Sequence, residues 1–154
     1  MTNTGRLHSA AAHDCVELLR LWALLFDKDK AAPEERWRSH AAEWFTRMVN
    51  DPSSACFPVI EVDGAIVATA IGTLELGVPN PHCIRGRTVR LMNVITLAEH
   101  RGQGYGTRLI FDVLDWARSI DADRVDLSAT PEGQRLYEKL GFTMTSAPRM
   151  KLVL

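Results

Sequence analysis

EHRGQGYGTRLIFDVLDWA, residues 99–117, places Gly102, Gly104 and Gly106 at alternating positions between an arginine and a run with helical spacing. Glycine is costly at a helix start unless the backbone must take unusual angles or come very close to something. A strand entering such a loop, followed by a helix N-terminus, lets backbone N–H groups converge while the helix start adds partial positive charge. Arg101 adds a full charge within reach of the same point. The stretch therefore reads as an anion cradle suited to phosphates. A nucleotide P-loop needs G-x-x-x-x-G-K-[ST], but Thr107 follows Gly106 with no lysine between. A dinucleotide fingerprint needs G-x-G-x-x-G, but Thr107 stands at the third glycine's place, and a hairpin precedes the unit.

Upstream of the cradle, RTVRLMNVITL (87–97) is apolar on both faces and predicts a central strand. CFPVIEV (56–62) and AIVATAIGTLEL (65–76) are β-branched runs joined by Asp63-Gly64, a strong hairpin signal. GVPNPHCIRG (77–86) is a loop with two prolines and two glycines. GRLHS (5–9) predicts a short first strand. HDCVELLRLWALLFDKD (13–29) predicts a helix with a Val16, Leu19, Trp22 or Ala23, Phe26 stripe and His13 or Asp14 as N-cap. APEERWRSHAAEWFTRMVND (32–51) predicts a second helix, with Pro33 near its first turn and Trp37, Ala41, Trp44 and Met48 on one stripe.

Downstream, Leu109, Val113, Ala117 and Ile120 form an apolar stripe flanked by Ile110 and Leu114, with an Arg108–Asp112 pair on the other side. RVDLSA (124–129) predicts a short strand, PEGQRLYEKLG (131–141) a short helix ending at Gly141, and RMKLVL (149–154) a last strand. The expected order is β-α-α-β-β-β-α-β-α-β. It describes an α/β fold over residues 1–154, a single domain with a mixed central sheet flanked by helices.

Composition excludes several function classes. The 154 residues carry 18 Lys plus Arg against 19 Asp plus Glu, a net charge of −1, which argues against a nucleic-acid binder. Cys15, Cys56 and Cys83 lack the close spacing of a zinc or redox motif, so no metal is expected and free thiols in a reducing compartment are. MTNTGRLHSAAAHD has no apolar signal-peptide core, and no apolar run approaches the ~20 residues that span a bilayer. A cytoplasmic protein with no membrane partner is expected.

Arg101-Gly102-Gln103-Gly104-Tyr105-Gly106 resembles the R/Q-x-x-G-x-G/A signature of the GCN5-related N-acetyltransferases. NVITLAEHRGQGYGTRLI (93–110) is similar to their central strand, pyrophosphate loop and following helix, and LYEKLGF (136–142) to their late segment. The resemblance implies the acyl-CoA N-acyltransferase fold, acetyl-CoA as co-substrate without a metal, and a small-molecule or peptide amine as acceptor. It implies that backbone amides of Arg101, Gly102, Gln103, Gly104, Tyr105, Gly106 and Thr107 cradle the CoA pyrophosphate. Val94, Ile95 and Thr96 would pair with pantetheine like an added strand, the Val94 N–H pointing at the thioester carbonyl. Tyr137 matches the tyrosine that protonates the departing thiolate. Homodimers are common in such families.

Two positions depart from that pattern. Thr130 stands where an asparagine is frequent, and it retains a hydroxyl able to hydrogen-bond the cofactor. Arg90 stands where some relatives place a glutamate base, and it cannot accept a proton. Glu75 on the neighbouring strand is the first candidate base, with Glu61 behind it. His82 and His100 lie in loops, and His100 borders the cradle. Trp22, Phe26, Trp37 and Trp44 read first as core. The arginines of 77–90 form a solvated loop or recognise a carboxylate on the acceptor. The rival readings are a non-catalytic acyl-CoA-binding sensor and an acetyltransferase of a protein or aminoacyl-tRNA amine.

Overall fold

The computed structural model describes residues 4–26 and 34–154. Ten elements follow one another: β1 (Arg6–Ser9), α1 (Cys15–Ala23), α2 (Glu34–Met48), β2 (Ala55–Cys56), β3 (Pro58–Val62), β4 (Ala65–Leu76), β5 (Arg87–Thr96), α3 (Tyr105–Ser119), β6 (Arg124–Asp126) and α4 (Gln134–Lys139). The strands form one sheet in the order β1-β3-β4-β5-β6, with β2 also paired to β4. All neighbours are antiparallel except β5 and β6. A parallel pair needs a crossover connection, and α3 supplies it. The expected mixed sheet flanked by helices is what forms.

The Asp63-Gly64 turn has φ of 51° and 80° at its two positions, the left-handed pair a two-residue hairpin requires. β4 is the middle strand rather than β5, which lies between β4 and the short edge strand β6; β5 is nonetheless covered on both faces, as its apolar residues require. α3 covers one face through Leu109, Ile110, Val113 and Ala117, packed on Val67, Val89 and Leu91. α1 and α2 cover the other, where Trp22, Phe45 and Phe57 form an edge-on aromatic cluster over Val59 and Ile71. The Glu17 carboxylate of α1 accepts the Ile66 N–H at 2.7 Å and ties that helix to the start of β4.

Three local expectations change. The buried stripe of α1 is Leu18, Leu19, Leu21 and Trp22, and Val16 is 81% exposed. The helix therefore sits rotated from the expected phase, because the adjacent pairs Leu18–Leu19 and Leu21–Trp22 bury more apolar area than the Val16–Phe26 line. Pro33 lies outside the described residues, while Trp37, Ala41, Trp44 and Met48 all pack on the core around the fully buried Phe45. Arg108 does not pair with Asp112; its Nη1 donates to the Gly5 carbonyl at 2.8 Å. Residues 149–154 form no strand, and Met150, Leu152 and Val153 are exposed. An alternating pattern makes a strand only where a partner edge exists, and β6 is three residues long. No described helix is long and apolar enough to cross a membrane.

Candidate active site

β5 ends at Thr96, a short 3-10 turn spans Ala98–His100, and the glycine loop then delivers the chain to α3. Gly102 and Gly104 have φ of 80° and 78°, with open space where a Cβ would stand. Their requirement is conformational. Gly106 is inside the helix, and the nearest atom to its missing Cβ is Leu136 Cδ2 at 4.0 Å, so it leaves room at the helix mouth. Gly104 is the N-cap without a side-chain cap bond, and the first backbone bond returning to it comes from Arg108 N–H at 3.1 Å. The N–H groups of Tyr105, Gly106 and Thr107 therefore have no acceptor within the helix and face the same mouth. A diphosphate fits these donors and this open space.

The loop is held from below. Tyr105 is buried at 4% exposure, and its hydroxyl accepts the Gly5 N–H at 3.1 Å while donating to Gln103 Oε1 at 3.1 Å. Arg108 closes the clamp on the Gly5 carbonyl. Gly5 is buried, and a Cβ there would stand 2.3 Å from Ile60 Cγ2, so only glycine fits under the loop. Gly5 carries no local sequence signal, because this need arises from packing on Ile60 and Tyr105, 55 and 100 residues along the chain. Arg101 is exposed, and its Nε donates to the Thr96 carbonyl at 3.1 Å, which keeps the guanidinium at the strand's end.

β5 and β6 pair only from Thr88↔Arg124 to Arg90↔Asp126, whereas β5 continues against β4 as far as Thr96↔Ala68. From Leu91 onward the edge of β5 that faces β6 is open. Val94, Ile95 and Thr96 lie on this free edge and lead into the cradle. The β4–β5 register shifts between Thr69↔Ile95 and Ile71↔Met92, so Asn93 and Val94 together face Ala70. Asn93 is the extra residue, with φ of 51°. Asparagine tolerates that region better than most side chains. The bulge resets the alternation, putting Leu91 and Val94 both on the α3 core and Met92 and Ile95 both beneath α1 and α2. It bends the free edge where the two strands separate.

α4 packs beside the cradle through Leu136. Tyr137 joins the same core as Val94 and meets Phe142 edge-on with ring centroids 5.9 Å apart. Burial raises its phenol above the ordinary 10.0. Thr130 Oγ1 accepts the Gly133 N–H at 3.2 Å, and the Thr130 carbonyl accepts the Gln134 N–H at 3.0 Å. Its hydroxyl thus caps the turn into α4 and keeps its proton free to donate. Burial pushes the Cys56 thiol up to about 12, and Cys15 is also raised by burial. Neither offers a thiolate at neutral pH.

Glu75 is exposed and opposite Thr88, six residues before Val94 on β5. At about 3.3 Å per strand residue, that is roughly 17–20 Å from the bulge. The fold does not bring Glu75 and Val94 together. Glu61 is taken up by Arg6 at 2.6 Å and His8 at 3.4 Å on β1. His82 is exposed in the 80–83 turn, with its N–H on Asn80 Oδ1, and His100 precedes the cradle. Arg90 is half-buried and donates to Ser128 Oγ at 2.6 Å. Asn93 and Ser128 went unnoticed in the sequence, since their place is set by a register shift and by the point where two strands part.

A family model described as "Acetyltransferase (GNAT) family" matches residues 16–142. The human protein N-acetyltransferase 8B is 33% identical over 98 residues, 59% of this chain and 40% of its own length. The uncharacterized N-acetyltransferase YobR of Bacillus subtilis is 37% identical over 59 residues, 36% of this chain and 24% of its own length. The chain therefore spans less than half the length of these curated relatives. A protein described as a "predicted acetyltransferase", from Clostridium acetobutylicum and solved with acetyl-CoA, superposes with a TM-score of 0.86 at 19% identity, covering 97% of this chain and 96% of that one.

Proposed function

The chain belongs to the Acetyltransferase (GNAT) family, and from that premise we propose that it transfers the acetyl group of acetyl-CoA directly to a primary amine of a small molecule or peptide. The observation that carries this reading is the continuity of the free β5 edge with the uncapped start of α3. A ligand with an extended amide arm and a diphosphate matches both halves at once. We take residues 1–154 as one catalytic domain, and its free thiols suit a reducing, cytoplasmic setting.

Bound acetyl-CoA supplies an activated thioester carbonyl. The chain's own groups do the rest. The N–H groups of the 101–107 loop, with the Arg101 guanidinium, hold the diphosphate, and Thr130 donates its hydroxyl to the cofactor. The backbone of Val94, Ile95 and Thr96 pairs with the pantetheine amides. The Val94 N–H stabilises charge that develops on the carbonyl oxygen as the amine attacks. Tyr137, kept protonated by burial, donates toward the departing sulfur. The ammonium proton leaves through water toward Glu75, since the separation along the strand rules out direct transfer. A Cys56 thiol held protonated by burial fits direct transfer without an acyl-enzyme.

The test is acetyl-CoA binding by calorimetry, followed by CoA-thiol release with a panel of amines. Gly104→Ala forces a side chain into a left-handed position that costs about 1–2 kcal/mol, so the KM for acetyl-CoA should rise roughly tenfold with little change in kcat. No binding of acetyl-CoA would overturn the reading. Binding without transfer to any amine would favour the sensor alternative, to which the distance of Glu75 from Val94 lends support.

A further inference from the structure

β4, β5 and β6 turn a set of polar side chains to the face opposite α3. On β4, Gly72 faces Val113 and Trp116 of α3, so Thr73 projects to the other side and Glu75 with it. On β5, Val89 and Leu91 pack into the α3 core, which puts Thr88 and Arg90 on that same other side. Val125 and Leu127 likewise leave Arg124, Asp126 and Ser128 there. Met92 and Ile95 share this face but lie beneath α1 and α2. The face is thus apolar under the helix pair and polar just beyond it. Arg90 stands at the boundary, in the last pair before β5 and β6 part.

Of the three arginines in 77–90, two are otherwise placed. Arg85 is exposed, and Arg87 gives Nε and Nη2 to the Ile120 carbonyl at 3.1 and 2.7 Å, at the end of α3. Arg90 differs from both. It is half-buried, and the one side-chain hydrogen bond it makes among the described residues goes to a neutral hydroxyl, Ser128 Oγ at 2.6 Å. Asp126 lies beside it in register, yet the Asp126 carboxylate is turned to Arg124 Nε at 3.7 Å. A guanidinium has five N–H donors, and Ser128 leaves most of them without a protein acceptor where the strands open. A half-buried cation so sparsely paired is costly, and a planar carboxylate would satisfy it with two parallel charge-assisted bonds.

We propose that Arg90, oriented by Ser128, binds a carboxylate on the acceptor, which is therefore an amino-acid-like amine. This rests on the amine-transfer reading and names the class of its acceptor. Arg90 and Val94 are four residues apart on β5, roughly 10–13 Å along the strand, and the arginine side chain itself covers much of that span. The amine and the carboxylate must then lie close together, as in an α-amino acid or a short ω-amino acid. A cation beside the incoming nitrogen also favours its neutral form, the one that attacks.

The experiment compares amino acids with their amides and with the corresponding decarboxylated amines, by CoA-thiol release. In parallel, the matching N-acetyl amino acids and N-acetyl amides are titrated by calorimetry into CoA-loaded protein. The expected result is a preference for the carboxylate member of each pair in turnover and binding. Arg90→Gln should lower kcat/KM for that member about ten- to a hundredfold, the worth of a charged hydrogen bond. It should bring each pair near parity, while Arg90→Lys restores part of the preference. Pairs used equally by the unsubstituted protein would overturn the proposal and leave the transferase reading standing. So would an Arg90→Gln loss equal across both members, which marks a role at the reacting carbonyl or in folding. Failure to bind acetyl-CoA at all would overturn both.

Discussion

At the residue scale, burial keeps Tyr137 in its proton-bearing form. Its phenol is raised above 10.0 by desolvation, so it stays protonated throughout the neutral range. A thiol has an ordinary pKa of about 8.5, so full proton transfer from this phenol to a thiolate is uphill. In the proposed reaction its service would be a hydrogen bond that strengthens as charge reaches the sulfur, with the proton moving late. Tyr137→Phe keeps the ring packed on Phe142 and removes only that donor. Its kcat should fall about a hundredfold with the KM for acetyl-CoA unchanged. An acid loses activity as pH rises through its own pKa, so kcat of the unsubstituted enzyme should show no falling limb from this group between pH 6 and 9. A pre-steady-state measurement of CoA release over that range checks both statements, and unchanged kcat in Tyr137→Phe would remove the acid role.

At the element scale, the bulge in β5 sets where the free strand edge bends beside the cradle, and it is the feature least legible in the sequence. The run 87–97 reads as one uninterrupted strand because apolar residues occur on both faces. The phase change between Leu91 and Val94 becomes visible only once each face has a known partner. Glycines 102 and 104, by contrast, announce themselves, because left-handed backbone leaves few alternatives to glycine. The Val16 stripe went wrong for a related reason: a helix with apolar residues at 18, 19, 21 and 22 supports more than one face, and the aromatic neighbours on α2 choose between them. The bulge makes a specific demand at Asn93. Asn93→Gly relieves a φ of 51° and should preserve both the melting temperature and the acetyl-CoA KM. Asn93→Val places a β-branched side chain in the same region and should cost about 1–3 kcal/mol. If the strand instead loses its bulge, the edge at Val94 flips and acetyl-CoA affinity falls with stability. Chemical denaturation and calorimetry on the two variants separate these outcomes; equal behaviour of glycine and valine would show that the bulge imposes no such demand.

At the scale of the whole molecule, the polar floor around Arg90 depends on how β5 and β6 are started, and Asp123 controls that start. Its carboxylate accepts the Arg85 N–H at 2.9 Å, the Arg87 N–H at 3.0 Å and the Cys83 thiol at 3.4 Å. One side chain, just before β6, thereby fixes the last turn of the 77–86 loop against the crossover from α3. The next constraint lies alongside: Gly86 has φ of 67°, and a Cβ there would stand 2.2 Å from the Gly77 carbonyl oxygen. The sequence displays this loop as prolines and glycines, but its anchor is an aspartate 36 residues beyond Arg87, and nothing local to either segment pairs them. The backbone donors, Arg87 first, hold the Asp123 carboxyl below its ordinary 3.8 in the fold. A depressed folded value means the ionised group stabilises the native state at pH values above the unfolded value, and that contribution disappears as pH falls through the folded one. Asp123→Asn should therefore melt at a lower temperature than the parent at pH 7. The gap should narrow below about pH 4 as the parent's carboxylate is protonated. Thermal unfolding followed by circular dichroism from pH 3 to 7 reads this directly. A gap that stays constant across the range would mean that shape rather than charge anchors the loop, and the alignment of Arg90 with Asp126 would then rest on the backbone pairing of β5 and β6 alone.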